Sequence, residues 1–308
     1  MKKCPILLLI LLLCANVCHA QYIKLGLNLT RGQTYYLIST TNAAVTQTYQ
    51  GQPHTTNTVI NSRIAFKVIG IRDSLYDMEV KYESLSMKMK FPGGDMTYSS
   101  DRADPTDPSS SILFSFKNQP LTAVISRSGN LVLITGIGQI FENIINRFPG
   151  LDAEQKTQMR TMMSQSFGEQ AFRSNFEMSV PIFPSVPVRK GAFWTSDTQL
   201  LTAGQTNVHS VYQLSDITDT FYQINVCSTI TYANKDKFVE TNGMPVRNNL
   251  TGGMLVSSVV DKTTGWIKQS SITQSITGTT EVKDNPKLPG GYVMPINMKN
   301  EIVVTDVH

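Results

Sequence analysis

Alternating apolar and polar residues run through most of the chain and predict antiparallel β-strands. Residues 66–80, "FKVIGIRDSLYDMEV", alternate on both sides of Asp73 and Ser74, which is typical of a hairpin with a polar turn. Residues 212–226, "YQLSDITDTFYQINV", align with this stretch without a gap, so that Asp219 matches Asp73. The sequence therefore predicts the same hairpin twice.

Two further matches follow in the same order along the chain. "LTRGQTYYLIS" from Leu29 resembles "VRKGAFWTSDT" from Val188, and "VISRSGNLVLI" from Val124 resembles "VVDKTTGWIKQ" from Val259 when one residue is inserted. Three matching segments in the same order indicate an internal duplication. Because Val, Ile, Thr and Tyr dominate both copies, each copy predicts an antiparallel β-meander, folded as a curved sheet or half-barrel.

Helix-forming residues replace this alternation between the two copies. We predict helices over residues 137–147 and 153–175, separated by a Pro-Gly break. Asp152 followed by Gln155 is typical of a helix N-cap with a capping box. The predicted fold class is α+β, with internally duplicated antiparallel β-meanders and a central helical segment.

The first residues predict an exported protein, periplasmic or secreted. Two lysines precede an unbroken apolar run, and small or polar residues follow up to Ala20, as in a secretory signal peptide that is cleaved before Gln21. Lipoprotein anchoring through Cys14 or Cys18 is the less favoured alternative, because neither cysteine follows a small residue. The predicted division is a signal peptide at 1–20, a first β-rich half at 21–134, a helical connector and linker at 135–181, and a second β-rich half at 182–308.

Charge and cysteine content exclude several classes of protein. The formal net charge of +4 falls further when the two lysines leave with the signal peptide, so nothing predicts nucleic-acid binding. No later segment has the apolar length of a membrane helix. Cys227 is the only cysteine after the signal peptide, and its place in an alternating strand predicts a buried, unreactive thiol.

Residues with catalytic or metal-binding chemistry are scattered along the sequence. The histidines after the signal peptide are not spaced as a metal-binding pair, and no nucleophile motif accompanies them. Asp101, Asp104 and Asp107 form a weak candidate for a calcium site, although the neighbouring prolines are typical of simple turns. We therefore predict no enzyme, no catalytic residues, no designed metal site and no cofactor.

A stripe of Met and Phe on the second predicted helix is the best candidate for ligand binding. Its members are Met159, Met162, Met163, Phe167 and Phe172. Methionines line adaptable apolar binding surfaces, and a helix over a curved sheet could cover a pocket for a lipid or another apolar molecule. Core packing produces the same stripe on any amphipathic helix over a sheet, so both interpretations stay open.

Five turn and strand patterns characterise the two copies. They are "LGLNLTRGQTYYL", "AFKVIGIRDSLYDMEVKYESLSMKM", "ISRSGNLVLITG", "VRKGAFW" and "DKTTGWI". With them, most of the chain after the signal peptide resembles an uncharacterised family of exported, β-rich bacterial cell-envelope proteins. A more distant, fold-level likeness to the half-barrels that carry lipoproteins or lipids across a bacterial envelope implies a carrier.

Two functions from different classes follow. The first is an exported protein that binds an apolar or lipid-like ligand without catalysis, beneath the Met-rich helix. The second is a structural or interaction component of the cell envelope, which meets a protein partner through the loop near Asp101. A cavity larger than packing defects favours the first, and a filled core beside an exposed apolar patch favours the second.

Overall fold

The computed structural model describes residues 22–103, 108–202, 204–232, 235–241, 243–286 and 288–306. The predicted cleavage site between Ala20 and Gln21, together with Cys14 and Cys18, lies outside the described residues. Export and cleavage therefore stay predictions. Within the described ranges, no helix has both the length and the apolar character that crossing a membrane requires.

The described residues form thirteen strands and four helices. The strands are β1 (Thr34–Tyr49), β2 (Gln52–Arg72), β3 (Leu75–Phe91), β4 (Gly94–Ser99), β5 (Leu121–Ser126), β6 (Leu131–Thr135), β7 (Phe193–Thr202), β8 (Gly204–Ile217), β9 (Phe221–Tyr232), β10 (Val239–Thr241), β11 (Met244–Asp261), β12 (Ile267–Val282) and β13 (Tyr292–Thr305). The helices are α1 (Pro108–Phe116), α2 (Ile137–Ile145), α3 (Ala153–Phe167) and α4 (Glu169–Ser179). Long antiparallel strands with a central helical segment confirm the predicted α+β class.

All thirteen strands of the described residues belong to one open antiparallel sheet. Its order is β6-β5-β3-β2-β1-β13-β12-β11-β9-β8-β7, with β4 beside β3 and β10 beside β11. The first five strands of this path and the last five have the same order, and β13 joins the two sets by pairing with both β1 and β12. The duplication in the sequence is thus a duplication of strand order. The division at residues 134 and 182 stays a prediction.

Both halves carry the same irregularity in their central hairpin. The pairing of β2 with β3 shifts register between Val68 and Gly70, and the pairing of β8 with β9 shifts between Leu214 and Asp216. In the gapless alignment of the two hairpins these positions coincide. A bulge leaves one extra residue unpaired and increases the local twist of a strand, so both halves bend at the same place.

The turns that lead into β1 and β7 also match. Gly32 and Gly191 both have φ of 85°. The Gly32 N–H donates to the Val68 carbonyl at 2.8 Å, and the Gly191 N–H donates to the Leu214 carbonyl at 2.7 Å. The shared basic-Gly pattern therefore places the start of each half against the bulged strand of its own hairpin.

The segment before β1 connects the two halves. The Leu27 N–H donates to the Arg127 carbonyl in the β5–β6 turn, and the Asn28 N–H donates to the Thr264 carbonyl in the β11–β12 turn, both at 2.7 Å. These two turns are the matched Gly-containing turns of the sequence. The first residues of the described chain are therefore held by both halves at once.

The helical connector differs from its prediction mainly in its second helix. Helix α2 agrees with the predicted helix within two residues, and the capping box is present, since Asp152 accepts from the Gln155 N–H. The predicted helix over 153–175 is wrong as a single element, because it breaks at Gly168 and continues to Ser179. Gly168 is extended, with ψ of 176°, and a Cβ there would lie 2.2 Å from the Ser164 carbonyl oxygen.

Two smaller expectations are also corrected. Cys227 is exposed rather than buried, because the alternation of β9 turns Val226 into the core and the thiol outward. The stretch around Asp101 is not an unbroken loop, since β4 pairs with the end of β3 before it and α1 begins at Pro108.

Candidate ligand-binding site

Helix α4 closes the concave side of the curved sheet. It packs against β6 and β7, which are the two edge strands, and against β12. The Arg173 guanidinium donates to the Leu131 carbonyl of β6 and lies 3.7 Å from the Glu169 carboxylate and 3.6 Å from the Glu177 carboxylate. The sheet edges therefore meet at α4, and the space beneath this helix is enclosed by strands.

A cavity of about 280 Å³ lies between α4 and the second half of the sheet, and we call it the second-half cavity. Its floor consists of inward side chains from β8, β9, β11, β12 and β13. The main apolar members are Val208, Val226, Ile230, Met254, Ile276 and Met298. Concave, mostly apolar spaces with a few polar groups are typical of small-molecule sites.

A second space of about 400 Å³, the first-half cavity, lies between α3 and α4 on one side and β1, β2, β3 and β13 on the other. Its apolar lining includes Leu37, Ile60, Ile64, Phe66, Phe167 and Phe172. Met178 of α4 and Asn300 of β13 line both cavities. These two side chains therefore lie at the boundary between the cavities.

A third cavity, of about 240 Å³, lies between α1, α3 and the β3–β4 hairpin. It shares Met87 and Phe167 with the first-half cavity. The three spaces thus follow one another beneath the helices, from the β3–β4 hairpin to the floor of the second half.

Four of the five predicted binding residues lie beside these cavities. Met162, Met163 and Phe167 line the 240 Å³ cavity, while Phe167 and Phe172 line the first-half cavity. Met159 packs against the core. Met163 and Phe172 are 1% and 2% exposed, whereas Met162 is 48% exposed. Burial alone agrees with core packing as well as with binding, so their role as ligand contacts stays a prediction.

Sequence reasoning missed the second-half cavity. Strand alternation places Val208, Ser210 and Tyr212 on one face of β8, so their common direction could have been predicted from the sequence. The sequence did not predict which helix covers these residues, because the break at Gly168 and the extension of α4 to Ser179 determine which side chains reach the second half.

Polar side chains also line the second-half cavity, among them Thr198, Thr206, Ser258, Gln274 and Asn300. Ser174 and Glu177 come from α4, and Ser210 and Tyr212 come from β8. Ser210 Oγ lies 2.8 Å from Ser228 Oγ, so this pair satisfies itself. Ser174 Oγ is buried and has no hydrogen-bond partner among the described residues.

The electrostatics of the cavity follow from its burial. Burial raises the pKa of the Glu177 carboxyl, and the nearby Arg173 offsets only part of this effect. Burial also raises the pKa of the Tyr212 hydroxyl, which therefore stays protonated at neutral pH. Glu177 is the only ionisable side chain other than tyrosine in the described lining. The cavity thus combines an apolar floor with one acidic corner.

Histidine, cysteine and aspartate side chains are not part of the described linings of these three cavities. Over the described ranges, no group of three His, Cys, Asp or Glu side chains is placed to hold a metal ion. His209 lies 2.7 Å from the exposed Asp197 carboxylate. Asp101 is 3.9 Å from the Lys117 amine, and Asp104 and Asp107 fall outside the described residues, so the weak calcium candidate stays untested.

Comparison with solved structures shows which fold this chain is similar to. A lipovitellin structure, concerned with lipid–protein interactions, aligns over 91% of this chain with a TM-score of 0.50 and 11% identity. The chain covers only 26% of lipovitellin, and a likeness at this identity concerns the fold alone. An outer membrane channel from Pseudomonas putida F1 aligns over 91% of this chain and 97% of its own, with 9% identity and a TM-score of 0.26, from which we draw nothing.

Sequence comparisons place the chain more directly. No curated protein matches it. A family of unknown function, DUF6263, matches residues 73–267, which include β3, the second bulged hairpin and the whole helical connector. The chain belongs to the DUF6263 family of unknown function.

Proposed function

We propose that this protein binds an apolar or lipid-like ligand, without catalysis, in the cavities beneath helix α4. The observation that carries the proposal is the second-half cavity, an apolar space of about 280 Å³ under a helix that spans both sheet edges. Protein interiors are close-packed, and voids larger than a water molecule are few in a domain. An apolar space of this size is a better fit to a ligand than to a packing defect.

Two further facts support this proposal. The first-half cavity lies beside the second-half cavity, and their volumes fall around the lower part of the roughly 300–1,000 Å³ of known ligand pockets. Lipovitellin, with which the chain shares a fold, is described in terms of lipid–protein interactions. Export to the periplasm or beyond belongs to the same proposal, since it rests on the predicted signal peptide.

Binding is tested with N-phenyl-1-naphthylamine, an uncharged probe that fluoresces in apolar surroundings. We expect the full chain to bind this probe, and native mass spectrometry of protein from its natural source to show a co-purified apolar molecule. Val208→Phe places a larger side chain in the second-half cavity. This variant should bind the probe at least about five-fold more weakly, because the added ring fills space that the probe needs.

Val211→Phe is the matched control for this experiment. Val211 lies three residues further along β8, outside the described lining of the second-half cavity, and borders a groove with the exposed Cys227. The control should bind the probe as the unchanged protein does, with a similar melting temperature. Equal loss in both variants, or no binding by the unchanged chain, would refute the proposal.

A second candidate function, protein interaction, is favoured by one observation on the outer surface of the sheet. Phe193 and Leu255 are 64% and 62% exposed, and both border the groove that contains Cys227. Exposed apolar patches of this kind often mark contact surfaces. If a partner binds here, Leu255→Lys abolishes its capture by cross-linking through Cys227 and leaves probe binding unchanged.

A further inference from the structure

The Ser174 hydroxyl is the one buried side-chain polar atom without a hydrogen-bond partner among the described residues. Serine and threonine inside helices usually donate to the carbonyl four residues earlier. Ser179, on the same helix, does so with the Asn175 carbonyl at 2.7 Å. A buried hydroxyl left unpaired is costly, so Ser174 is placed where a bound molecule could supply the missing partner.

Glu177 lies on the same side of α4 as Ser174, because residues three apart are neighbours on a helix surface. Both side chains line the second-half cavity, and the Glu177 side chain is only 13% exposed. Its carboxylate is 3.6 Å from Arg173, which is longer than a hydrogen bond, so it keeps acceptor capacity for a donor in the cavity.

The charge balance of this corner decides which polar group fits. No Lys or Arg belongs to the described lining of the cavity. Arg173, outside the lining, is already engaged by Glu169, Glu177 and the Leu131 carbonyl. An anionic group would therefore meet a carboxylate at low dielectric with no cation to pair, whereas a hydroxyl could donate to Glu177 and accept from Ser174.

The rest of the cavity suits a hydrocarbon chain. Val226, Ile230, Met254 and Ile276 form the apolar part of the floor, and the flexible side chain of Met178 separates it from the first-half cavity. The polar side chains beside them already have partners, since Asn300 Nδ2 donates to Gln274 Oε1 at 2.7 Å and Ser258 Oγ lies 2.9 Å from Ser270 Oγ. A space of about 280 Å³ is too small for the two chains of a membrane phospholipid and favours a single chain.

We propose, on the basis of the function proposed above, that the ligand is a single-chain amphiphile with an uncharged, hydroxyl-bearing head group. Its head lies between Ser174 and Glu177, and its tail lies on the floor of the second half. Monoacylglycerols and long-chain alcohols have this chemistry. Fatty-acid anions and phosphate-headed lipids do not.

The experiment is displacement of N-phenyl-1-naphthylamine from the full chain by oleyl alcohol, 1-monoolein or oleate at pH 7.5. The alcohol and the monoacylglycerol should displace the probe at concentrations about ten-fold lower than oleate. Ser174→Ala should weaken the two hydroxyl ligands about five-fold relative to oleate, as expected for one hydrogen bond. Glu177→Gln should improve oleate binding and bring it within about two-fold of the alcohol, because it removes the repelling charge.

Thr161→Ala is the control, since the Thr161 hydroxyl already donates to the Thr157 carbonyl of its own helix at 3.0 Å and Thr161 is in the described lining of none of the three cavities. It should leave all three affinities unchanged. Probe binding without any preference among the three ligands, or with oleate preferred, overturns the head-group assignment and leaves the cavity proposal standing. Failure of the probe and all three ligands to bind overturns both.

Discussion

The two halves of the sheet share a strand order but differ in what covers them. In the first half, Phe66 is fully buried and its ring lies 5.7 Å from Phe176 and 5.5 Å from Trp266. At the matching position of the second half, Tyr212 stacks on Trp194 with an interplanar angle of 8° and borders the second-half cavity. The duplicated strands thus give both halves the same sheet, while the rings that pack on the matched positions differ, with Phe176 of α4 and Trp266 of the β11–β12 turn against Phe66 and only Trp194 against Tyr212.

The largest expected effect comes from truncating these two matched side chains. Phe66→Ala should lower the free energy of unfolding by about 3–5 kcal/mol, because a fully enclosed ring leaves a cavity that its neighbours cannot fill. Tyr212→Ala should cost at least about 1 kcal/mol less, since the Tyr212 ring packs on a single aromatic ring, that of Trp194 on the edge strand β7, whereas Phe66 packs on three. Urea denaturation of both variants measures this difference. Equal losses would mean that both halves are packed alike.

A smaller loss of stability is expected from a substitution at the place where the two halves are joined. Gly265 has φ of 70°, and a Cβ there would lie 2.2 Å from the Gly26 carbonyl oxygen. Gly265→Ala should therefore cost about 2–3 kcal/mol, from backbone strain together with displacement of the segment before β1. Gly191→Ala is the control, because Gly191 has a similar φ of 85° but nothing within 4 Å of its Cβ position.

Gly191→Ala should cost only about 1 kcal/mol, from backbone strain alone. Thermal unfolding of both variants separates the two contributions. If Gly265→Ala is no more destabilising than Gly191→Ala, the segment before β1 does not hold the two halves together, and each half is stabilised independently of the other.

Much of the sheet was predictable from the sequence, because its signals are local. The hairpin turns at Asp73 and Asp219 follow from strand alternation on either side, and both are present. The repeat also aligned the two bulges, although alternation alone did not reveal them. The prediction that Cys227 is buried was wrong, since burial depends on which face of the strand meets the helices.

The candidate site was less predictable, because it depends on packing between distant segments. The Met and Phe stripe led to Phe167 and Phe172, which line the first-half cavity. It did not lead to Ser174, Glu177 or Met178. These residues reach the second half only because the helix breaks at Gly168, and no local pattern specified which sheet edge α4 would contact.

A substitution at the boundary between the two cavities should have a moderate effect on the selectivity for ligand chain length. Met178→Ala should join the first-half and second-half cavities, so alcohols of 18–20 carbons should gain about three- to ten-fold in affinity over those of 12 carbons. Probe displacement by an alcohol series measures the change.

Met298→Ala is the control for this prediction. Met298 also lines the second-half cavity but not the described lining of the first-half cavity, so its truncation enlarges one space without joining the two. Met298→Ala should change the affinities for alcohols of all chain lengths by the same factor. The same chain-length shift in both variants would show that volume, rather than the boundary at Met178, sets the preference.

The smallest expected effect concerns the acidic corner of the second half. The folded-state pKa of Glu177 is raised by burial, so the folded protein binds this proton more tightly than the unfolded chain does. Stability from this group is therefore lost as the pH rises from the ordinary glutamate pKa through the raised one. Glu177→Gln does not titrate, and it should raise the melting temperature by about 1–2 °C at pH 7.5.

This gain should disappear at pH 4, where Glu177 is mostly protonated in both states. Calorimetry at the two pH values is the measurement, and Glu169→Gln, an exposed partner of the same Arg173, is the control that should show no gain at pH 7.5. If the Glu177→Gln protein is more stable and also loses its preference for hydroxyl ligands, the Glu177 carboxylate lowers the stability of the second half but is needed for ligand recognition. If Glu177→Gln is instead destabilised at pH 7.5, the Arg173 pair outweighs burial, and the carboxylate holds α4 in place rather than a ligand.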